Sequence, residues 1–383
     1  MSSYSDSEDS SPATPRKMNS DSLDEIEPAS KPATPKFELK KHVSYFDRCL
    51  FLLPHQYSSA DCTRVTFGYF CLSALDLLGN LDEAITSDMK KSYIDWIYAQ
   101  QVHPSKNTEG DEYIYCGFRG SPYCGEGYNP CKGPTEKPIP YDRANLAMTY
   151  TALLSLIILG DDFSRVNRKA ILGGLKALQQ PDGSFVPVYG SNESDQRFTF
   201  CAFAVSYVLN NWTFFDVDLA VKYIQSSQTY EYAISQGPNQ ESHGGSTYCG
   251  LASLELAGRL DALSDKEETL KWCLNRQASG FHGRCNKLDD TCYSFWIGAS
   301  IQILGGIDMI NEKNNCNFLY STQTKMGGFG KYPGGMPDTL HSYMGLAALS
   351  LMGQEGVKKI HPSLNISVDA YEFWKTNILP SYS

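Results

Sequence analysis

A glutamine recurs along this chain at the same place in a repeated phrase. "LQQPDGSF", "QSSQTYEYAISQGPNQESHGG", "NRQASGFHG" and "STQTKMGGFG" align on Gln180, Gln228, Gln277 and Gln323, at intervals of 48, 49 and 46 residues. A looser copy, "AQQVHPSKNTEGDEYIYCGFRG", precedes them at 99–120. A fixed period of this size marks stacked helical units, each of which buries its apolar face only against its neighbours. Ahead of each glutamine lies an amphipathic segment, clearest in "SDKEETLKWCLNRQ", where Ser264 and Glu267 read as a capping box. After each glycine-rich turn comes a segment that is apolar all round: "LAMTYTALLSLIIL", "RFTFCAFAVSYVL", "STYCGLASLELAG", "DTCYSFWIGASIQIL" and "HSYMGLAALSLMG", with "CTRVTFGYFCLSALDLL" as an earlier member. A helix apolar on every face is buried on every face. Each unit is therefore an outer amphipathic helix, a turn and an inner helix. About six such pairs predict an all-α fold, an α/α barrel. An open solenoid is the alternative, but inner helices this apolar call for a closed interior.

Composition separates two materials. Residues 1–36 are rich in Ser, Pro, Asp and Glu and nearly free of aromatics, so they read as a disordered tail that cannot bury enough surface to fold. Within it Ser11-Pro12, Thr14-Pro15 and Thr34-Pro35 have the form of proline-directed phosphorylation sites. Residues 37–383 read as the barrel. The formal net charge of -10 argues against a nucleic-acid surface. No charged-then-apolar leader opens the sequence, and its longest apolar run, "YTALLSLIILG", is too short to span a bilayer. The twelve cysteines lack the spacing of a small disulfide scaffold and read as reduced thiols of a cytoplasmic protein.

The barrel has a geometric consequence. Every inner helix is entered from the same end, so the polar residues at those entrances converge: Arg197, His243, Arg284, Lys287, Asp290, Cys292, Tyr293 and His341. Each alone could be a cap or a satisfied polar group. Several at equivalent positions of different repeats point to a shared site.

Asp290 and Cys292 are two residues apart. Inside a helix their side chains would diverge, but at an irregular entrance both can face one atom. With His341 at the entrance of the next inner helix they make a carboxylate, thiolate and imidazole set, which suits a zinc ion with an open fourth position. Arg284, Lys287, His243 and Tyr293 are donors with no acid among them, and such a cluster wants an external anion; a diphosphate fits a forked Arg, a point-charge Lys and neutral donors. Phe70, Phe198, Phe200 and Trp296 line an apolar interior beside them. The combination describes transfer of a lipid from its diphosphate to a metal-bound thiolate.

"SHGGSTYCGLASL", "GFHGRCNKLDDTCYSFW" and "GGFGKYPGGMPDTLHSYMGLAALSLMG" resemble the beta subunits of protein prenyltransferases, and the likeness runs from about Lys41 to Pro362. "YSSADCTRVTFGYF", "CGFRGSPYCG", "AMTYTALLSLIILGDDFSRVN" and "LNNW" resemble most the geranylgeranyl type I branch of that family. The resemblance implies zinc ligands at Asp290, Cys292 and His341, and diphosphate contacts at His243, Arg284, Lys287, Tyr293 and Lys331. It implies a lipid pocket with Thr66, Phe70, Arg197, Phe200, Tyr248, Cys249 and Trp296, and a peptide pocket with Asn145, Ala147 and Phe198. Thr66 stands where the farnesyl enzymes carry a Trp that shortens the pocket, which leaves room for a twenty-carbon chain. Lys331 stands where they carry an Asp linked to magnesium, so magnesium is not expected to be required. Asn145 replaces a His common in relatives, and Asp289 an apolar residue. The implied reaction is zinc-dependent transfer of geranylgeranyl to the Cys of C-a-a-X proteins ending mostly in Leu, such as Rho-, Rac- and Rap-type small GTPases. The implied assembly is a heterodimer with an alpha subunit. No residue of the chain is expected to be a covalent nucleophile.

Other classes fit less well. A thioester protein on such a barrel needs C-G-E-Q, and "YCGEGY" has Gly127 in place of the Gln. An aspartate-dependent terpene cyclase needs D-x-D-D, and "KLDD" lacks the first Asp. A glycosidase needs two carboxylates facing across a sugar, whereas Asp289 and Asp290 are adjacent. A non-catalytic scaffold leaves the ligand set without a purpose. The farnesyltransferase beta subunit is the nearest alternative.

Overall fold

The computed structural model describes residues 36–104, 111–122 and 143–382. The disorder expected over 1–36 falls outside them, save for Lys36, and so does Gly127. Among the described residues six outer helices alternate with six inner ones. The outer helices are α1 (Leu39–Phe51), α4 (Ser87–Tyr98), α6 (Arg168–Leu178), α8 (Val217–Ser226), α10 (Lys266–Leu274) and α12 (Glu312–Thr322). The inner helices are α2 (Arg64–Leu77), α5 (Leu146–Ile158), α7 (Gln196–Val208), α9 (Gly244–Leu256), α11 (Thr291–Ile303) and α13 (Thr339–Leu351). A short α3 (Leu81–Ala84) links the first two pairs, and α14 (Val368–Phe373) follows the last. Each inner helix packs on the next, and α13 packs back on α2. The ring is therefore closed, as the apolar inner segments required. Among the described residues no helix is long and apolar enough to cross a membrane.

The repeated glutamine explains how one unit is fastened to the next. Gln277 Nε2 donates to Asn311 O at 2.8 Å and its Oε1 accepts from Asn311 N at 2.9 Å, which clamps the N-cap of α12. In the second repeat Gln228 Oε1 accepts from Ser264 Oγ. In the first repeat the clamp is Gln179, not Gln180: it binds Asp216, the N-cap of α8, in both directions, at 2.8 and 2.9 Å. Gln180 turns back on Leu178 O instead. In the looser copy Gln101 accepts from Asn167 N at 2.8 Å. Gln323 reaches Glu38 N at 3.0 Å and so fastens the last repeat to the start of α1. The capping box at Ser264 also moves. Asp265 is the N-cap of α10, because the Ser264 hydroxyl is spent on Gln228.

Five residues past the N-cap, five of the inner helices present an aromatic ring: Tyr150, Phe200, Tyr248, Phe295 and Tyr343, with Tyr69 and Phe70 in α2. Ring contacts of 5.2–6.1 Å link Phe295 through Tyr248, Phe200, Tyr150 and Tyr69 to Tyr343. Beneath this layer an antiparallel hairpin of β3 (Ile360–His361) and β4 (Ile366–Ser367) closes the far end of the barrel; the other hairpin pairs β1 (Gln101–Val102) with β2 (Gly117–Phe118). Tyr248, Tyr150 and Tyr69 donate their hydroxyls to the carbonyls of Pro362, Leu364 and Asn365. Four buried phenols are thereby satisfied, the fourth being Tyr343, which also reaches Asn365 O. The end opposite the hairpin carries the N-caps of the inner helices.

Candidate metal and anion site

Five of the six inner helices are capped by a side chain, Asn145, Asp195, His243, Asp290 and Asp338, each accepting from a backbone N–H of its first turn, whereas Thr63 ahead of α2 makes no such bond. Capping decides where the next side chains go. Asp290 Oδ1 folds over the turn to accept from Cys292 N at 3.0 Å, and this brings the same oxygen within 3.0 Å of Cys292 Sγ. One helix on, Asp338 accepts from His341 N at 2.9 Å and holds its Nδ1 at 2.6 Å. The ring is turned so that Nε2 lies 3.3 Å from Asp290 Oδ1. The three ligand atoms all lie within 4.8 Å of one another.

The Asp290–Cys292 and Asp290–His341 spacings of 3.0 and 3.3 Å are at or just below the roughly 3.3–3.7 Å edge of a tetrahedron built on ~2.0–2.3 Å metal bonds. Asp290 and Cys292 are buried and His341 nearly so. Burial favours a protonated Asp290, but hydrogen bonds from His341 and Cys292 outweigh it and hold the carboxyl below its ordinary value. Burial likewise opposes a charged His341, yet its bonds to Asp290 and Asp338 raise it to about 9. Burial pushes the Cys292 thiol well up, and the Asp290 charge adds to this. Protons on His341 and Cys292 thus stand around one carboxylate where a cation would stand. Sulfur, imidazole nitrogen and carboxylate oxygen suit a borderline divalent metal, with a fourth position left for a substrate. Lys331 Nζ lies 3.5 Å from the other oxygen of Asp290.

The anion side begins at the next residue. Tyr293 OH is 3.0 Å from His243 Nε2. His243 Nδ1 accepts from Gly245 N and Ser246 N as the cap of α9, so the ring proton sits on Nε2, beside the Tyr293 hydroxyl. Burial and the charge of Arg284 keep this ring neutral by lowering its value. Gly283 makes room for Tyr293: a Cβ there would lie 2.0 Å from the phenol carbon. Lys287 is exposed on the same turn. The donors are not all without an acid, as their sequence positions suggested. Arg284 Nη1 pairs with Glu241 Oε2 at 3.0 Å, because the 241–244 and 283–284 segments are joined by a hydrogen bond from Gly244 N to Gly283 O.

Phe70, Phe200 and Tyr248 lie in the aromatic layer, with buried Cys249 beside Tyr248. Trp296 packs edge-on against Tyr293 at 5.3 Å. Thr66 sits higher in α2, its Oγ1 3.3 Å from Met148 Sδ and 3.2 Å from Thr151 Oγ1. Arg197 is held by Asp195 and Glu193 and covers the Phe198 ring. Asn145 spends its side-chain oxygen as the cap of α5, beside Ala147. Asp289 ties the loop from outside the site: its Oδ2 accepts from Ser279 N and Gly280 N. Sequence reasoning missed Asp338, Glu241 and Gly283. Asp338 had a signal, an acid three residues before His341 at a helix start. The other two act across loops.

The chain matches the family described as "Prenyltransferase alpha-alpha toroid domain" over residues 37–366. It is 40% identical over 334 residues to the geranylgeranyl transferase type-1 subunit beta of Dictyostelium discoideum, covering 86% of this chain and 94% of that one. The subunit of the same name from Arabidopsis thaliana is 36% identical over 356 residues, covering 88% and 91%. A solved structure of Candida albicans protein geranylgeranyltransferase-I complexed with GGPP superposes with a TM-score of 0.77 at 29% identity, covering 90% of this chain and 99% of that one.

Proposed function

Because the chain belongs to the prenyltransferase family of α/α toroids, and within it to the geranylgeranyltransferase type I beta subunits, we propose that it transfers geranylgeranyl from geranylgeranyl diphosphate to the Cys of C-a-a-X proteins. It works with a prenyltransferase alpha subunit in the cytoplasm. The observation that carries the reading is the junction of Cys292 and Tyr293. One residue faces Asp290 and His341, and its neighbour faces His243, so a single helical turn joins a metal set to an anion cradle.

Asp290, Cys292 and His341 would hold one Zn2+, which, when bound, would lower the pKa of the substrate thiol so that a thiolate is available at neutral pH. The rest is done by the chain's own groups. The His243 Nε2–H and the Tyr293 hydroxyl donate to the diphosphate, Arg284 and Lys287 supply charge at the rim, and Lys331 supplies it beside Asp290. The sulfur–C1 bond forms as the C1–oxygen bond breaks, and the electron pair leaves on diphosphate. Donors fixed before the reaction stabilise that charge as it develops. Phe70, Phe200, Tyr248 and Trp296 enclose the isoprenoid and keep water from the reacting carbon. Thr66 leaves depth for the fourth isoprene unit. Asn145, Ala147 and Phe198, at the mouths of α5 and α7, meet the peptide. Arg197 closes the mouth on that side.

The test is co-expression with an alpha subunit, then assay of geranylgeranyl and farnesyl diphosphate against peptides ending in Leu or Ser. Geranylgeranyl transfer to the Leu peptide is expected to dominate. Dominant farnesyl transfer to the Ser peptide would place the chain with the farnesyl enzymes.

A further inference from the structure

We propose that Glu241 is a built-in counter-anion for Arg284, which holds the guanidinium beside the diphosphate cradle between turnovers and competes with diphosphate for it, so that the leaving group is released. This rests on the function proposed above. Glu241 Oε2 lies 3.0 Å from Arg284 Nη1. The two segments are fixed side by side by the Gly244–Gly283 hydrogen bond. Both charges reach the same imidazole: Arg284 lowers the value of His243 and Glu241 raises it. Glu241 therefore stands at the edge of the cradle itself.

Arg197 shows what a permanent partner looks like. Its carboxylate, Asp195, is buried and is committed as the N-cap of α7. Glu241 is half exposed, and among the described residues its carboxylate binds nothing but Arg284. An exposed pair of this kind is weak and easily exchanged. A diphosphate presents the same paired oxygens to a guanidinium and takes Glu241's place. The displaced carboxylate stays nearby and repels the bound anion. That repulsion weakens binding of lipid diphosphate and inorganic diphosphate alike, which eases product release at the expense of ground-state affinity. Glu241 touches no reacting atom; it is a positioning residue that acts through Arg284.

The experiment uses the metal-loaded heterodimer and inorganic diphosphate as a competitive inhibitor against geranylgeranyl diphosphate. Wild type, Glu241→Gln, Arg284→Ala and the double variant are compared at low and high salt. Glu241→Gln is expected to lower the inhibition constant about three- to tenfold, most at low ionic strength. It is expected to lower KM for the lipid in parallel without raising kcat. In the Arg284→Ala background most of that gain should vanish. An inhibition constant that is unchanged or higher in Glu241→Gln overturns the inference, and so does an equal gain with Arg284 removed. If wild type binds no diphosphate at all, the proposed function falls and takes this inference with it.

Discussion

Asp338 grips His341 twice, accepting its backbone N–H at 2.9 Å and holding its Nδ1 at 2.6 Å. The cap of α13 thus also sets the tautomer and direction of an imidazole in the candidate metal set. Replacing the carboxylate with Asn keeps a cap but loses the anionic grip. Asp338→Asn should weaken metal binding about ten- to a hundredfold, as removal of such an outer partner does elsewhere. Cys292→Ala and His341→Ala should lose most of the metal and the activity. Metal content by mass spectrometry after dialysis checks this, and full retention in Asp338→Asn would show that the grip is idle.

Metal uptake should depend steeply on pH. His341 is raised from 6.5 to about 9, and the Cys292 thiol is pushed well up, so at neutral pH both hold protons that a cation must displace. Affinity should rise with pH, with release of about two protons per metal near pH 7. Calorimetry in buffers of different ionisation heat counts those protons. The metal-free protein behaves in the opposite sense. A raised His341 gives stability that is whole below about pH 6.5 and lost as pH climbs through about 9. Thermal melts of the metal-free protein that improve over that range would contradict the assignment.

Gly283 is where Tyr293 lies, since an added Cβ would meet its ring at 2.0 Å. Gly283→Ala should push the phenol off His243 and reduce kcat/KM about tenfold or more, as displaced donors do in a preorganised site. The decisive comparison is a double-mutant cycle. In a Tyr293→Ala background the Gly283→Ala change should do little, and an undiminished effect there would mean that Gly283 acts through something else.

Gln323 fastens the last repeat to the first helix by accepting from Glu38 N and bonding to His42 Nε2. Gln323→Ala would leave these groups unpaired, and His42 is fully buried. A loss of about 1–3 kcal/mol in stability is expected, read as a lower midpoint in urea. Gln180→Ala, by contrast, should cost less than Gln179→Ala, because only Gln179 spans two units.

That contrast shows what the sequence could and could not say. The period located the units, the apolar runs located the inner helices, and their common entrance located Asp290, Cys292, Tyr293 and His341. "LQQ" could not say which Gln faces outward, because register at a helix end turns on one residue. Asp338 was visible only to a reader who treated caps as orienting groups. Glu241 and Gly283 were invisible, since their partners lie 43 and 10 residues away on a neighbouring turn or helix.

Lipid length and magnesium form the last prediction, and Thr66 and Lys331 carry it together. Thr66 Oγ1 lies 3.3 Å from Met148 Sδ and 3.2 Å from Thr151 Oγ1, and under the proposed function a larger side chain there takes up space meant for the lipid. Thr66→Trp fills about the volume of the last isoprene unit, and overfilling a packed pocket costs roughly 1–3 kcal/mol. At 1.4 kcal/mol per tenfold, that is about a ten- to hundredfold swing toward farnesyl diphosphate. Lys331 Nζ already stands 3.5 Å from Asp290, beside the candidate metal set. Wild-type turnover should therefore be nearly indifferent to magnesium. Lys331→Asp should slow transfer in its absence and recover in part at millimolar magnesium, because a carboxylate can hold that ion where the ammonium stood. A magnesium titration of wild type and both variants, with both lipid diphosphates, reads the two effects separately. A wild type that stalls without magnesium would deny Lys331 its role. A Thr66→Trp enzyme still strict for the longer lipid would mean that the floor of the pocket lies elsewhere, in the aromatic layer below.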